Sequence, residues 1–126
     1  MNSNGDKSGR LGEVKAPHFV AGVPVYGHLT DYQTRCVHYH SPLDIIAIKF
    51  RCCDRYYPCN SCHAENSDHA AQQWPEEERD VKAILCGACG HELTINEYLQ
   101  SNNQCTSCKA AFNPNCSLHY SHYFHM

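Results

Sequence analysis

The sequence predicts a small metal-stabilised domain, irregular in outline, built mostly of short β strands and zinc knuckles with one or two short helices. Three observations carry that expectation. Ten cysteines and ten histidines occur in 126 residues, and many of them interleave at short spacings. The hydrophobic fraction of 42% counts those cysteines, and without them roughly a third of the chain is left for an ordinary apolar core. A core that thin usually needs a disulfide or a metal, because apolar burial alone barely offsets the entropy of ordering the chain.

The histidines decide between the two. An even number of cysteines suits either answer, but a disulfide framework has no use for imidazoles at fixed short distances from sulfur. Zinc accepts thiolate sulfur and imidazole nitrogen in one tetrahedral shell. Cys36, His38, Cys52, Cys53, Cys59, Cys62, His63 and His69 interleave those two donors. The expected cofactor is zinc, about three ions.

Composition also sets aside several classes. No apolar run approaches the length of a membrane span, and no apolar segment near the N-terminus suits a secretory signal. The expectation is a soluble chain with no membrane span that is not classically secreted. A net charge of −3 lacks the basic footprint that displaces counterions from phosphates, so no nucleic-acid partner is expected.

Residues 1–20 read as a flexible N-terminal arm and residues 21–126 as the zinc domain. Up to Pro17 the arm is rich in Asn, Ser, Gly and Lys, and its sizeable apolar side chains are Leu11 and Val14, too few to order it. With Asp6 and Glu13 and no Arg-rich amphipathic face, it makes a poor matrix-targeting presequence. Phe19 to Leu29 suggests one short extended segment. Leu43 to Arg51 is strand chemistry, with Ile46, Ile48 and Phe50 two apart on one face and Lys49 and Arg51 on the other.

Further on, Pro75 followed by Glu76, Glu77 and Glu78 suits the first turn of a short helix, where carboxylates oppose the macrodipole. Val81 to Leu85 forms a strand that feeds Cys86. Thr94 with Glu97 three residues later matches a capping box, placing a helix from Ile95 to about Gln100. Asn102 and Asn103 end it. Trp74 reads as a packing anchor.

The clearest metal unit is Cys86-x2-Cys89 with Cys105-x2-Cys108, within a ribbon half at residues 81–112. Each pair occupies a tight turn that aims two thiolates at one ion, so together they make a four-cysteine zinc site. The competing reading of either pair is a redox dithiol, but the strand and helix alternation that usually accompanies one is missing. The eight earlier ligands supply two more ions. Cys36 and His38 share a face if extended, and Cys59 and Cys62 form another knuckle. Cys52 and Cys53, and likewise Cys62 and His63, point apart if extended, which suggests interleaved sites. Grouping Cys36, His38, Cys59 and Cys62 nevertheless leaves Cys52 and Cys53 on one ion, so the partition stays open.

Cys116 and His119 form one more two-residue-gap pair, a possible additional metal position that His91, His122 or His125 would complete. A buried free thiol beside surface histidines is the competing reading. His18, His28 and His40 read as loop or packing residues. Catalysis requires an open coordination position, an acid or base and a pocket. Each main site fills with four protein ligands, so no catalytic residue and no enzyme activity is expected. Asp44, Asp54 and Glu92 read as solvated charges.

Cys36-Val-His38-Tyr39, Cys52-Cys53-Asp54 with Tyr56-Tyr57, and Cys59-x2-Cys62-His63 with His69 together resemble the CHY-type zinc finger. The likeness runs from about Val25 to Phe124. It implies an irregular, mostly β and loop structure around three zinc ions. Larger relatives are ubiquitin ligases that carry a RING domain, for whose ligands this chain has no room, so ligase activity is not carried over. Asp44-Ile-Ile-Ala-Ile-Lys-Phe50, Cys86-Gly-x-Cys89-x-His91-Glu92 and Phe112-Asn-Pro-x-Cys116-x-Leu-His119-Tyr120 resemble the compact helper-of-Tim group of the mitochondrial intermembrane space.

That resemblance implies a zinc-binding helper of oxidative folding and protein import. It would promote assembly or recycling of small Tim chaperones by keeping the disulfide-relay oxidoreductase zinc-free. The implied partners are that oxidoreductase and the small Tim proteins, and the implied location is the intermembrane space, with the cytoplasm as the alternative. Another class of function is a non-catalytic interaction module in which zinc only stabilises a protein-binding surface. The segment Tyr120 to His125 would serve as that surface or pack back on the domain. A thiol oxidoreductase is a third reading, and it needs an accessible low-pKa cysteine that closed zinc sites remove. Exchange of zinc with a partner is expected at Cys116 and His119, where ligation is incomplete.

Overall fold

The computed structural model describes residues 17–113 and 123–124. Six strands form one sheet: β1 (His18–Val20), β2 (Val23–Val25), β3 (Ile46–Phe50), β4 (Arg55–Tyr57), β5 (Lys82–Cys86) and β6 (Glu92–Thr94). Their spatial order is β1-β2-β4-β3-β5-β6. Neighbours run antiparallel except β2 and β4, which meet in parallel at Val25 and Tyr56. Helix α1 (Asn60–Asn66), a 3₁₀ turn (Glu76–Glu78) and helix α2 (Ile95–Leu99) complete the element list.

The N-terminal extended segment is a hairpin of two strands, not one. Ala21 and Gly22 both have positive φ, at 52° and 84°, the turn geometry that suits the twist of a two-residue hairpin. The pairing begins at His18, within the stretch to residue 20 read from sequence as arm. The central strand β3 starts at Ile46, and the alternation expected of it is incomplete. Ile46, Ile48 and Phe50 face the larger core, while Ala47 is fully buried on the other side with Val20, Val25, Tyr56 and Leu85. The strand is covered on both faces, by the larger core on one and by this smaller cluster on the other, so only Lys49 keeps partial exposure.

Several local expectations hold in detail. Thr94 Oγ1 accepts from the Glu97 N–H at 3.0 Å, and the Thr94 N–H donates back to Glu97 Oε1 at 2.8 Å, closing the capping box that starts α2. Asn102 and Asn103 end it with φ of 57° and 60°, a conformation that asparagine tolerates better than most residues. Pro75 caps the acidic turn at Glu76–Glu78, although the helix there stops after one 3₁₀ turn. Trp74 is buried and donates its indole N–H to the Lys49 carbonyl at 2.7 Å. Tyr123 and Phe124 are buried too, and the Tyr123 carbonyl accepts from the Trp74 N–H at 2.7 Å. At those two residues the C-terminal segment packs back on the domain.

The larger core gathers Phe50, Tyr57, Ile84, Leu93, Ile95, Tyr98, Phe112 and Phe124 around the cysteines of all three clusters. One glycine fixes how the loop before β3 meets the end of β5. The Gly87 N–H donates to the Ile45 carbonyl at 2.6 Å, and a methyl on Gly87 would run into the Gln33 carbonyl. Gly87→Ala is therefore expected to cost about 1–3 kcal/mol by overpacking, seen as a lower thermal midpoint of the zinc-loaded protein. An unchanged midpoint would mean that this contact gives way freely.

Candidate metal centres

Among the described residues, three groups of four donors converge, and the donor atoms of each lie within 4.8 Å of one another: Cys36, His38, Cys59 and Cys62; Cys52, Cys53, His63 and His69; Cys86, Cys89, Cys105 and Cys108. We call them sites 1, 2 and 3. All twelve residues were candidates from sequence, and the structure supplies the grouping. The nine described cysteines are free thiols.

Local conformation explains the grouping. Cys52 and Cys53 lie not in a strand but in the tight turn after β3, where the Cys53 and Asp54 N–H groups both donate to the Phe50 carbonyl and Asp54 adopts φ 61°. Neighbours in such a turn reach the same ion, and the extended-chain argument for splitting them fails. Cys62 and His63 sit in a helix, which successive side chains leave about 100° apart, so they serve different sites. Cys59 is the N-cap of that helix, its Sγ accepting from the Cys62 N–H at 3.3 Å. The sequence reading had no helix here, because a thiol is not among the side chains that usually mark an N-cap.

The separations suit zinc. A zinc–sulfur bond of about 2.3 Å and a zinc–nitrogen bond of about 2.0 Å put tetrahedral neighbours about 3.8 Å apart for two sulfurs and about 3.3 Å apart for two nitrogens. Sulfur pairs stand at 3.7 Å for Cys36 and Cys59, 3.9 Å for Cys52 and Cys53, 3.8 Å for Cys86 and Cys108, and 3.7 Å for Cys89 and Cys105. His38 Nδ1 lies 3.8, 3.4 and 3.5 Å from the sulfurs of Cys36, Cys59 and Cys62. In site 2, His63 Nε2 lies 3.2 Å from Cys52 Sγ and 3.2 Å from His69 Nε2. Each group is able to hold one zinc ion.

The far nitrogens of the imidazoles are occupied as well. His38 Nε2 meets Glu65 Oε2 at 3.1 Å, and Glu65 Oε1 reaches His28 Nε2 at 3.4 Å. His69 Nδ1 meets Asp68 Oδ1 at 3.1 Å, and His63 Nδ1 lies 3.5 Å from Ser67 Oγ. A carboxylate behind a ligating histidine fixes its tautomer and orientation. Sequence reasoning missed Glu65, which becomes visible only once α1 exists to carry it towards His38; Asp68 had a weak signal in its adjacency to His69. His28, read as a loop residue, borders site 1, and its N–H donates to Cys62 Sγ at 3.5 Å.

Two of the three acidic residues read as solvated are engaged. Glu92 accepts from the buried Tyr56 hydroxyl at 2.8 Å. Asp44 accepts from the Ser41 N–H and from the Asn113 amide, both at 2.9 Å. Asp54 is exposed. His91 lies outside the three groups, its carbonyl accepting from the Cys86 N–H at 2.9 Å. Cys116, His119, His122 and His125 lie outside the described residues.

The crowded thiols are electrostatically primed for a cation. Hydrogen bonds from Cys59 and then Cys62 lower the Cys36 thiol to about 2. The interaction with Cys36 in turn raises Cys59 to about 11 and raises Cys62 strongly. Burial, opposed by a backbone N–H of Arg55 and reinforced by Cys52, pushes Cys53 up to about 11.

The chain belongs to the CHY zinc finger family, whose model matches residues 36–120. It is 46% identical over 103 residues to Helper of Tim protein 13 of Saccharomyces cerevisiae, covering 79% of this chain and 89% of that protein. Helper of Tim protein 13 of Kluyveromyces lactis is 42% identical over 100 residues, covering 79% and 87%. An uncharacterised protein of Schizosaccharomyces pombe is 37% identical over 111 residues, covering 88% and 97%.

The raised thiols fix the sign of a pH effect. Groups such as Cys53 and Cys59 carry protons at neutral pH in the metal-free protein, and zinc binding must expel them. Zinc added to the metal-free chain in weak buffer is therefore expected to acidify the solution. Affinity should fall about tenfold for each unit by which the pH is lowered, per proton expelled. Uptake without proton release, read with a pH indicator, would contradict this.

Proposed function

We propose that the chain is a non-catalytic zinc-binding helper of oxidative folding. On this reading the twelve residues of sites 1 to 3 are zinc ligands, and the protein accepts zinc from a disulfide-relay oxidoreductase. Freed of metal, the dithiol of the oxidoreductase is re-oxidised to its disulfide by the relay's own upstream oxidant and again oxidises its substrates, which supports assembly of small Tim chaperones in the mitochondrial intermembrane space. The observation that carries the reading is the coincidence of three four-donor groups with extensive identity to proteins named Helper of Tim.

The chemistry is straightforward. A thiolate bound to zinc is withheld from thiol–disulfide exchange, so removing the metal returns a free dithiol that an upstream oxidant can convert back to the active disulfide. A chain that presents many thiolate and imidazole donors is a suitable recipient. Closed four-ligand sites of the structural kind favour holding metal over catalysis.

A second reading has its own observation. Tyr32, Val37, Tyr39 and Leu43 are exposed large apolar side chains in the loop around Cys36 and His38, and such a loop suits a protein-interaction module whose zinc only holds its shape. The two readings separate in one assay. The full chain is partly stripped with a chelator and mixed with a zinc-inhibited dithiol oxidoreductase and a small-molecule disulfide as oxidant. The zinc-helper reading expects faster oxidation of the oxidoreductase and one zinc gained per helper. Binding without acceleration would leave the interaction module standing.

A further inference from the structure

We propose that site 2, formed by Cys52, Cys53, His63 and His69, is the position at which zinc is exchanged, while sites 1 and 3 stay loaded as structural centres. This rests on the zinc-acceptor reading and says where that acceptor works.

The three sites differ in donors and in burial. Site 1 has three buried cysteines and site 3 has four thiolates, whereas site 2 pairs two half-buried cysteines with two imidazoles, of which only His63 is buried. A soft thiolate-rich shell holds zinc more firmly than one half built of neutral imidazole. Site 3 does expose Cys89 and Cys108, but Cys105 Sγ accepts from the Ser107 and Cys108 N–H groups at 3.3 and 3.5 Å, which fixes that knuckle on its sulfur. Beyond the knuckle the segment after α2 is tied down as well, by the buried Phe112 and by the Asn113 N–H, which donates to the Leu43 carbonyl at 3.0 Å.

Site 2 has anchors of its own in the core. The His63 ring stacks on Phe50 at 4.3 Å and stands edge-on to Tyr57 at 5.1 Å, both buried in the main core. The Cys52–Cys53 turn hangs from the Phe50 carbonyl. Three of the four donors are therefore anchored by the sheet and α1.

The fourth is not. His69 follows the C-cap Ser67 of α1, with 36% of its side chain exposed, and its carboxylate partner Asp68 is fully exposed. Site 1 differs here, because Glu65 holds His38 from within the helix. Rotation of His69 alone would open one coordination position beside Cys52 and Cys53. A donor holding zinc through two thiolates would then hand it over by ligand exchange. Bonds from zinc to the donor sulfurs break as bonds to Cys52, Cys53, His63 and His69 form. The protons lost by the Cys52 and Cys53 thiols are balanced by those the freed donor thiolates take up, and no electron moves.

The test follows zinc release from the loaded full chain to a chromogenic chelator. One equivalent of the three is expected to leave roughly tenfold or more faster than the others. His69→Ala should abolish that phase and yield protein with two zinc ions and an unchanged far-ultraviolet dichroism spectrum. His69→Cys, which keeps four donors, should retain three ions and slow the fast phase; Cys108→Ser should leave the fast phase intact. A fast phase that survives in both His69 variants, or disappears in Cys108→Ser, would overturn the assignment to site 2 and leave the acceptor reading standing. Three equivalents leaving together would overturn the exchange proposal, while failure of the oxidoreductase assay alone would overturn the acceptor reading.

Discussion

Four sulfur and nitrogen donors within 4.8 Å of one another, three times over in one small domain, set the terms for everything else in this structure. Two thiolates about 4 Å apart repel by about 4 kcal/mol at an effective dielectric of 20. Protonation relieves the repulsion only by leaving polar groups crowded and poorly partnered. A divalent cation relieves it while binding every donor, and it supplies cohesion that the apolar core cannot. The aromatic and aliphatic residues of that core lie between the sites and touch their cysteines, so core and metal centres are one unit.

Helix α1 is the joint of the assembly. Its N-cap Cys59 and its Cys62 belong to site 1, His63 belongs to site 2, and Glu65 turns back to His38. Seven helical residues are too few to be stable alone. They are held by stacking of His63 on Phe50 below and present ligands to two candidate metal centres. A loss of ligation at site 1 therefore reaches site 2 through one peptide bond, while site 3 is built on the other neighbour of β3, from β5 and the segment after α2.

Much of this was legible in the sequence for identifiable reasons. The capping box of Thr94 and Glu97, the apolar alternation of β3 and the CxxC pair at Cys86 are local signals, and local chemistry decided them. The ligand set was legible because few residue types bind zinc and their spacing was short. The partition was not, because it depends on whether the chain is extended, turned or helical at Cys52–Cys53 and at Cys62–His63, and the cues there were weak. The hairpin at Ala21 escaped notice because alanine rarely takes positive φ. The partners Glu65 and Glu92 act across 27 and 36 residues of sequence, a distance over which a single sequence carries no periodic signal.

The central claim is that metal, and not disulfide or apolar burial, holds the fold. Stepwise chelation with zinc counting by native mass spectrometry, followed in parallel by two-dimensional NMR, tests it most directly. The claim predicts three zinc ions in the isolated protein and the loss of dispersed resonances from residues 28–39 and 101–113 as the last two leave. A metal-free chain that keeps those resonances, or one isolated with its cysteines paired as disulfides, would contradict it.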